Sequence, residues 1–404
     1  MNRLFQRAYK DAEASTNEAL SIFRELEDVR GEAWALQNLA WVAYLSGRVA
    51  EAEQRIDRSA ATFAELGDQA GLAWANGLLA FTRFHQGHLA EAEQLAEELL
   101  PDAHERGDRF GEGMMLLLTS LVRLWSGRTE AAVERAEEAR ALLSRIGDSL
   151  GQFQAEAVLG RALVAGGRIE EGLRSLEDTL ARSAPNQALA GSTLGSLALA
   201  NAALHIGDVA RAALQLPVLT HAGEDADEIG GDERVVALGM IALQQGEIDA
   251  AVATLSGWVE SDPEGETSPN ALAALSLALV AVGDPGRALL FADRAHNSRR
   301  ATYLDLAHAY VASGLAFASR GDTSEMIAAF ASARQGVDPT GDVVARAVVR
   351  LAESFALGAV GATSARGVRR ESERLLGALG ISADGWATVF GAAAGPRVPA
   401  SSAV

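Results

Sequence analysis

The chain has 404 residues, 49% hydrophobic and 5% aromatic, carries a net charge of −19 and contains no cysteine. Its length exceeds the ~250–300 residues at which one compact core stops growing, which leaves several domains or a repeat array. The hydrophobic fraction excludes a disordered chain, the missing thiols exclude disulfides and thiolate metal sites, and the acidic balance argues against binding nucleic acid or an anionic membrane.

The first segment, Met1-Asn2-Arg3-Leu4-Phe5-Gln6, lacks the apolar core of a signal peptide, and nowhere do ~18 apolar residues run without a charge. A cytoplasmic protein is expected. A glycine then recurs at Gly47, Gly87, Gly127, Gly167, Gly207, Gly246, Gly283 and Gly321, in steps of 37 to 40 residues. Seven residues before each stands a small residue: Ala40, Ala80, Ser120, Gly160, Ala200, Gly239, Ser276 and Gly314. Five residues after each stands another, with Met326 the exception. Small residues at fixed points let two helices approach closely, and glycine accepts the left-handed conformation that ends a helix. Each unit of about 40 residues reads as helix A, a tight turn at the glycine, and helix B.

The joints between units carry Asp28, Asp68, Asp108 and Asp148, each three residues before a glycine (Gly31, Gly71, Gly111, Gly151). Gly67, Gly107 and Gly147 directly precede three of these aspartates. Glycine stops helix B, and aspartate caps the next helix A. Residues 8–27 read as a helix B with no helix A before it, which leaves Leu4 and Phe5 exposed. The chain is therefore expected to be a piece of a larger regulator, or to pack its first helix on something else.

Residues 1–180 keep strict register. After Pro185 the joints loosen, and two polar segments, His221 to Arg234 and Ser261 to Asn270, read as longer loops. Residues 181–375 continue the same solenoid in more divergent form. Arg369 to Leu379 reads as the last repeat helix; in the end region 376–404, Ile381 to Phe390 reads as a cap and Pro396 to Val404 as a disordered tail.

A small residue, a glycine seven on and an alanine five further form a skeleton that resembles the tetratricopeptide repeat, although the unit is longer than the common 34 residues and the usual Trp, Tyr and Pro are mostly missing. Unit length and the Leu66-Gly67-Asp68 joint are similar to the long tetratricopeptide arrays of MalT-like and AfsR-like bacterial signalling regulators, over roughly residues 8–375. The resemblance implies an all-α, right-handed superhelical solenoid of about nine helix-turn-helix repeats. It implies a protein-protein interaction or ligand-sensing scaffold of a bacterial signalling system, with no enzymatic activity and no cofactor.

The family's geometry also implies a concave face. On it fall Trp34, Gln37, Trp41 and Tyr44 of the first full unit, then Trp74, Phe81, Phe84 and His85. Met114, Leu117, Leu121, Leu124 and Trp125 follow in the third unit. Four of the six tryptophans belong to this set, and contiguous aromatic surface marks interaction sites. The stripe reads either as a groove for a protein or peptide partner, a partner helix or a small-molecule effector, or as packing between adjacent helices A. The sequence leaves both open. Later units are plainer, as at Gln154, Ala157, Arg161, Leu194, Leu197 and Asn201. The basic and asparagine pairs of the family's peptide clamp have no counterpart at Gln37 or Trp41. Self-association (a homo-oligomer) through the solenoid ends is the alternative function.

Other chemistry finds little support. His85 and His88 lie one helical turn apart, but a catalytic zinc needs a third protein ligand. A calcium loop starting at Asp225 fails at Ile229 and Val236, where oxygen ligands are required. The sole lysine, Lys10, belongs to no phosphate loop, and there is no Gly-x-Ser-x-Gly elbow. Carboxylates accompany arginines at helical spacing, as at Glu134, Arg135 and Glu138, and read as a solvated face. With no nucleophile–base set visible, the chain is not expected to be an enzyme.

Overall fold

The computed structural model describes residues 9–183, 189–221, 231–261 and 268–395. Among them are 21 helices and no strand. Helix α1 (Tyr9–Glu25) is a lone helix B. Helical pairs follow: α2 and α3 (Val29–Leu45, Val49–Glu65), α4 and α5 (Gln69–His85, Leu89–Glu105), α6 and α7 (Arg109–Trp125, Thr129–Arg145), and α8 and α9 (Ser149–Ala165, Ile169–Ser183). In the fifth unit α10 (Leu189–Ile206) pairs with a broken helix B, α11 (Val209–Ala213) and α12 (Leu216–His221), because Pro217 cannot donate the backbone bond that would continue it. The array resumes with α13 and α14 (Gly231–Gln244, Ile248–Glu260), α15 and α16 (Pro269–Val282, Pro285–His296), α17 and α18 (Tyr303–Arg320, Thr323–Val337), and α19 and α20 (Val343–Ala359, Ala365–Leu379). A capping helix, α21 (Asp384–Ala394), ends it. Among the described residues no helix is long and apolar enough to cross a membrane.

The expected turn chemistry is present. The eight A–B turn glycines have φ between 73° and 92°, a region that side chains with a Cβ avoid. Asp28, Asp68 and Asp108 accept the backbone N–H of Gly31, Gly71 and Gly111 at 2.8–3.0 Å. Asp148 makes no such cap bond. Gly31 and Gly71 are also packing sites, since a Cβ there would lie 2.3 Å from the rings of Phe23 and Phe63. The small residue of helix A works the same way: a Cβ on Gly160, Gly239 or Gly314 would meet Leu176, Leu255 or Phe330 of the paired helix B at 2.4–2.6 Å. Between units the arginines do more than line a solvated face. Arg48 bonds Glu13, Arg83 bonds Glu53 and Arg123 bonds Glu93, each reaching back one unit.

Several boundaries differ from expectation. Helix α13 begins at Gly231, so Arg234 is helical and not loop. Pro269 and Asn270 open α15, where proline suits the first turn because its missing N–H would have no partner there. The last repeat helix starts at Ala365, and the capping helix starts at Asp384 after Ala383 turns left-handed at φ 55°. Leu4, Phe5, Pro185, residues 222–230 and the tail from Pro396 lie outside the described residues. Helices α8 and α9 both pack on α10, so the units on either side of residues 184–188 stack directly.

The coil closes on itself. The N–H of Gly341 donates to the carbonyl of Gly127 at 2.7 Å, and that of Gly385 to Gly207 at 3.0 Å. The indole N–H of Trp386 donates to His205 O at 2.9 Å. A Cβ on Gly87 would lie 2.6 Å from Cα of Arg300, and one on Gly127 would lie 2.6 Å from Thr340. Turns of the second, third and fifth units thus rest on the segments entering the eighth and ninth units and the cap. These glycines meet two demands at once: a positive φ and a close approach of backbone to backbone.

Candidate functional site

Closure turns the inner face of the solenoid into a cavity of about 850 Å³. All thirteen residues placed on the concave face from the sequence line it. They divide into two layers. Gln37, Tyr44, Phe81, Phe84, Leu117 and Leu124 are buried in the wall. Trp34, Trp41, Trp74, His85, Met114, Leu121 and Trp125 are only half-buried and form its inner surface. Groove and packing are therefore both realised, by different side chains of one stripe.

The wall is held by aromatic edge and stacking contacts. Trp41 meets Tyr44 at 5.8 Å between ring centres, Phe84 meets Trp125 at 4.8 Å, and Trp74 stacks on Phe110 at 5.7 Å. Gln37 serves the scaffold, since its Nε2 donates to Trp74 O at 3.1 Å and its Oε1 accepts from Ser59 at 3.1 Å. Its amide thus clamps the first unit to the second, with no polar atom left for a ligand along those bonds.

The opposite wall is polar and comes from the later units. Arg161 of α8 faces Glu233 of α13 at 3.6 Å, and Asn201 of α10 donates to the same carboxylate at 3.5 Å. Asp342 receives His205 Nε2 at 3.0 Å, the Tyr303 hydroxyl at 2.7 Å and the N–H of Ala345 at 2.8 Å. Burial alone would push Asp342 up, but His205 and these donors outweigh it and hold the carboxyl below its ordinary range. Burial, then the Asp342 charge, keeps Tyr303 well above the usual phenol range. Asp305 closes a capping box with Thr302, yet burial still raises it to about 6. His85 and His308 are lowered to about 4, first by burial and then by neighbouring Arg300 and His205, so both are neutral at pH 7.

The sequence pattern reaches Arg161 and Asn201 of this wall but not the rest of it. Tyr303, Asp305, His308, Asp342 and Trp386 all line the cavity. Asp342 could have been flagged as a helix cap of the same kind as Asp28, but its partners come from other units. Trp386 was counted in the cap; it is fully buried and stacks on Phe390 at 5.5 Å. The His85–His88 pair does not converge: His85 is in the cavity wall, whereas His88 is exposed beside Glu91 at 3.6 Å. Among the described residues no three His, Asp or Glu side chains gather as a metal site.

No known family's sequence profile matches the chain, and no curated protein matches it in sequence. Solved structures do. A Rap protein complexed with competence and sporulation factor aligns at a TM-score of 0.61 and 12% identity, over 87% of this chain and 99% of that one. The apo form of RapI aligns at a TM-score of 0.52 and 10% identity, over 83% of this chain and 94% of that one. At these identities the likeness shows the fold, a tetratricopeptide-type helical solenoid.

Proposed function

We propose that this protein is a non-enzymatic sensor of a regulatory system, which encloses a short peptide or a similarly small ligand inside its coil and signals by a change in superhelical shape. The observation that carries the reading is the partly open cavity of about 850 Å³ walled by half-buried tryptophans. That volume lies within the ~300–1,000 Å³ of small-ligand sites. A short peptide or a small molecule of that volume fits the space. The likeness to a solenoid solved in complex with competence and sporulation factor supports a ligand-binding role for this one. Enclosure gives such a ligand a way to act, because anything held there touches both early and late units and biases the pitch of the array.

The test is a selection of short peptides from an unbiased pool, followed by Trp41→Ala and Trp125→Ala. Both residues are half-buried, so each variant is expected to stay folded by circular dichroism and to lose binding at least tenfold. A selected ligand whose affinity is unchanged in both variants would refute the reading.

A further inference from the structure

The cavity's charge and its aromatic wall say what kind of ligand it prefers; the inference rests on the enclosed-ligand reading above. Among the described residues five carboxylates line the cavity, those of Asp148, Asp232, Glu233, Asp305 and Asp342. Against them, among the described residues, stand two guanidiniums, Arg161 and Arg300, and no lysine. His85 and His308 are neutral at pH 7, and setting His205 against its partner Asp342 still leaves four carboxylates facing two guanidiniums. Field lines of one sign are focused by the low-dielectric walls of a cleft, so the interior favours positive charge.

The repeat itself singles out one of these acids. At the equivalent joints Asp28, Asp68 and Asp108 spend their carboxylates on capping the following helix. Asp148 makes no cap bond and is the member of the four that lines the cavity. Its carboxylate still sits against Gly151, where a Cβ would lie 2.5 Å from Oδ2, but it accepts no cap bond there. The other wall adds the complementary half. Faces of Trp34, Trp41, Trp74 and Trp125 attract cations through the ring quadrupole and bury apolar groups.

We infer that the cavity selects a cationic amphiphile, an ammonium or guanidinium carried on an apolar or aromatic body, and discriminates against anionic ligands of the same shape. For a peptide this means a free amino terminus or a basic side chain beside apolar residues, with no exposed carboxylate facing the acidic wall.

Tetraphenylphosphonium and tetraphenylborate test the claim, being nearly identical in shape and opposite in charge. Both are titrated into the full chain with tryptophan fluorescence as the readout. The phosphonium is expected to quench saturably and to bind at least tenfold tighter than the borate, and Asp148→Asn with Glu233→Gln is expected to reduce that ratio at least threefold with the melting temperature held within a few degrees. Where the double variant fails to fold, Asp148→Asn alone carries the test, since that carboxylate bears no cap bond. Borate binding as tight as phosphonium binding overturns the charge preference and leaves the enclosed-ligand reading standing. Saturable binding of neither ion overturns both.

Discussion

His205 Nε2 lies 3.0 Å from a carboxylate oxygen of Asp342, although 137 residues separate them. The pair joins the end of α10 to the start of α19, and the Tyr303 hydroxyl holds the other oxygen at 2.7 Å. With the Gly341–Gly127 and Gly385–Gly207 backbone bonds it forms the seam that closes the coil. Asp342 is fully buried, and stripping one partner from a buried ionic cluster leaves the others uncompensated. Asp342→Ala should therefore cost about 3–5 kcal/mol and raise the radius of gyration in small-angle scattering. A variant that melts lower but scatters as compactly as the parent would show that the seam does not hold the coil shut.

Glu27 occupies the joint position where Gly67, Gly107 and Gly147 stand in the next three units, and it adopts φ 53°. A residue with a Cβ is strained there, by roughly 1 kcal/mol. Glu27→Gly is expected to stabilise the protein by up to about that amount in urea unfolding, less whatever glycine adds to the entropy of the unfolded chain. The same change at an ordinary helical position destabilises; a loss of stability at position 27 would contradict the strain.

Gly314 and Phe330 form a matched pair, since a Cβ on the glycine would lie 2.5 Å from the ring. In the second unit the equivalent positions are Ala80 and Ala96. Gly314→Ala alone should cost about 1–3 kcal/mol through overpacking. In a Phe330→Ala background the same change should cost little, giving a double-mutant coupling above 0.5 kcal/mol. Additive effects would mean that the notch and the ring do not compete for the same space.

The pH dependence follows from three buried groups. His85 and His308 titrate near 4 in the folded chain, below the ordinary 6.5, because burial disfavours their charged forms. Between those values the unfolded chain binds more protons, so their stabilising contribution is present above pH 6.5 and is lost as pH falls toward 4. Asp305, raised to about 6, works in the opposite sense between its ordinary value and 6. Each histidine shift corresponds to at most about 3 kcal/mol, so two histidines outweigh one aspartate. Stability should fall from pH 6.5 to pH 4.5, and His308→Gln should flatten that slope; an unchanged slope would exclude His308 as a contributor.

Much of the candidate site was legible in the sequence because a repeat converts position into geometry. Trp34, Trp74 and Met114 sit at one register of three successive helices A, so knowing that one faces inward places the rest. The turn glycines and the aspartate caps were legible for the same reason: their conformations are set within a few residues. Layer depth was not. Gln37 and Trp41 are neighbours on the same helical face, yet one is sealed by Ser59 and the backbone of Trp74 while the other borders the cavity. Such differences depend on what adjacent helices bring.

By itself, then, the sequence determined the repeat, the helix–turn–helix unit and three of the four aspartate caps, all of which are local or strictly periodic, while the aromatic stripe was placed on an inner face only through the tetratricopeptide resemblance. The tertiary structure alone decided that the stripe faces a cavity and that its other wall includes Tyr303, Asp305, His308 and Asp342. The pitch of a solenoid is the accumulated sum of small rotations between neighbouring units, each set by side-chain volumes at a contact such as Gly314 on Phe330. No periodic pattern in the sequence encodes that sum. Only when it brings Gly127 against Gly341 does the open coil become a cavity with an acidic side and an aromatic one.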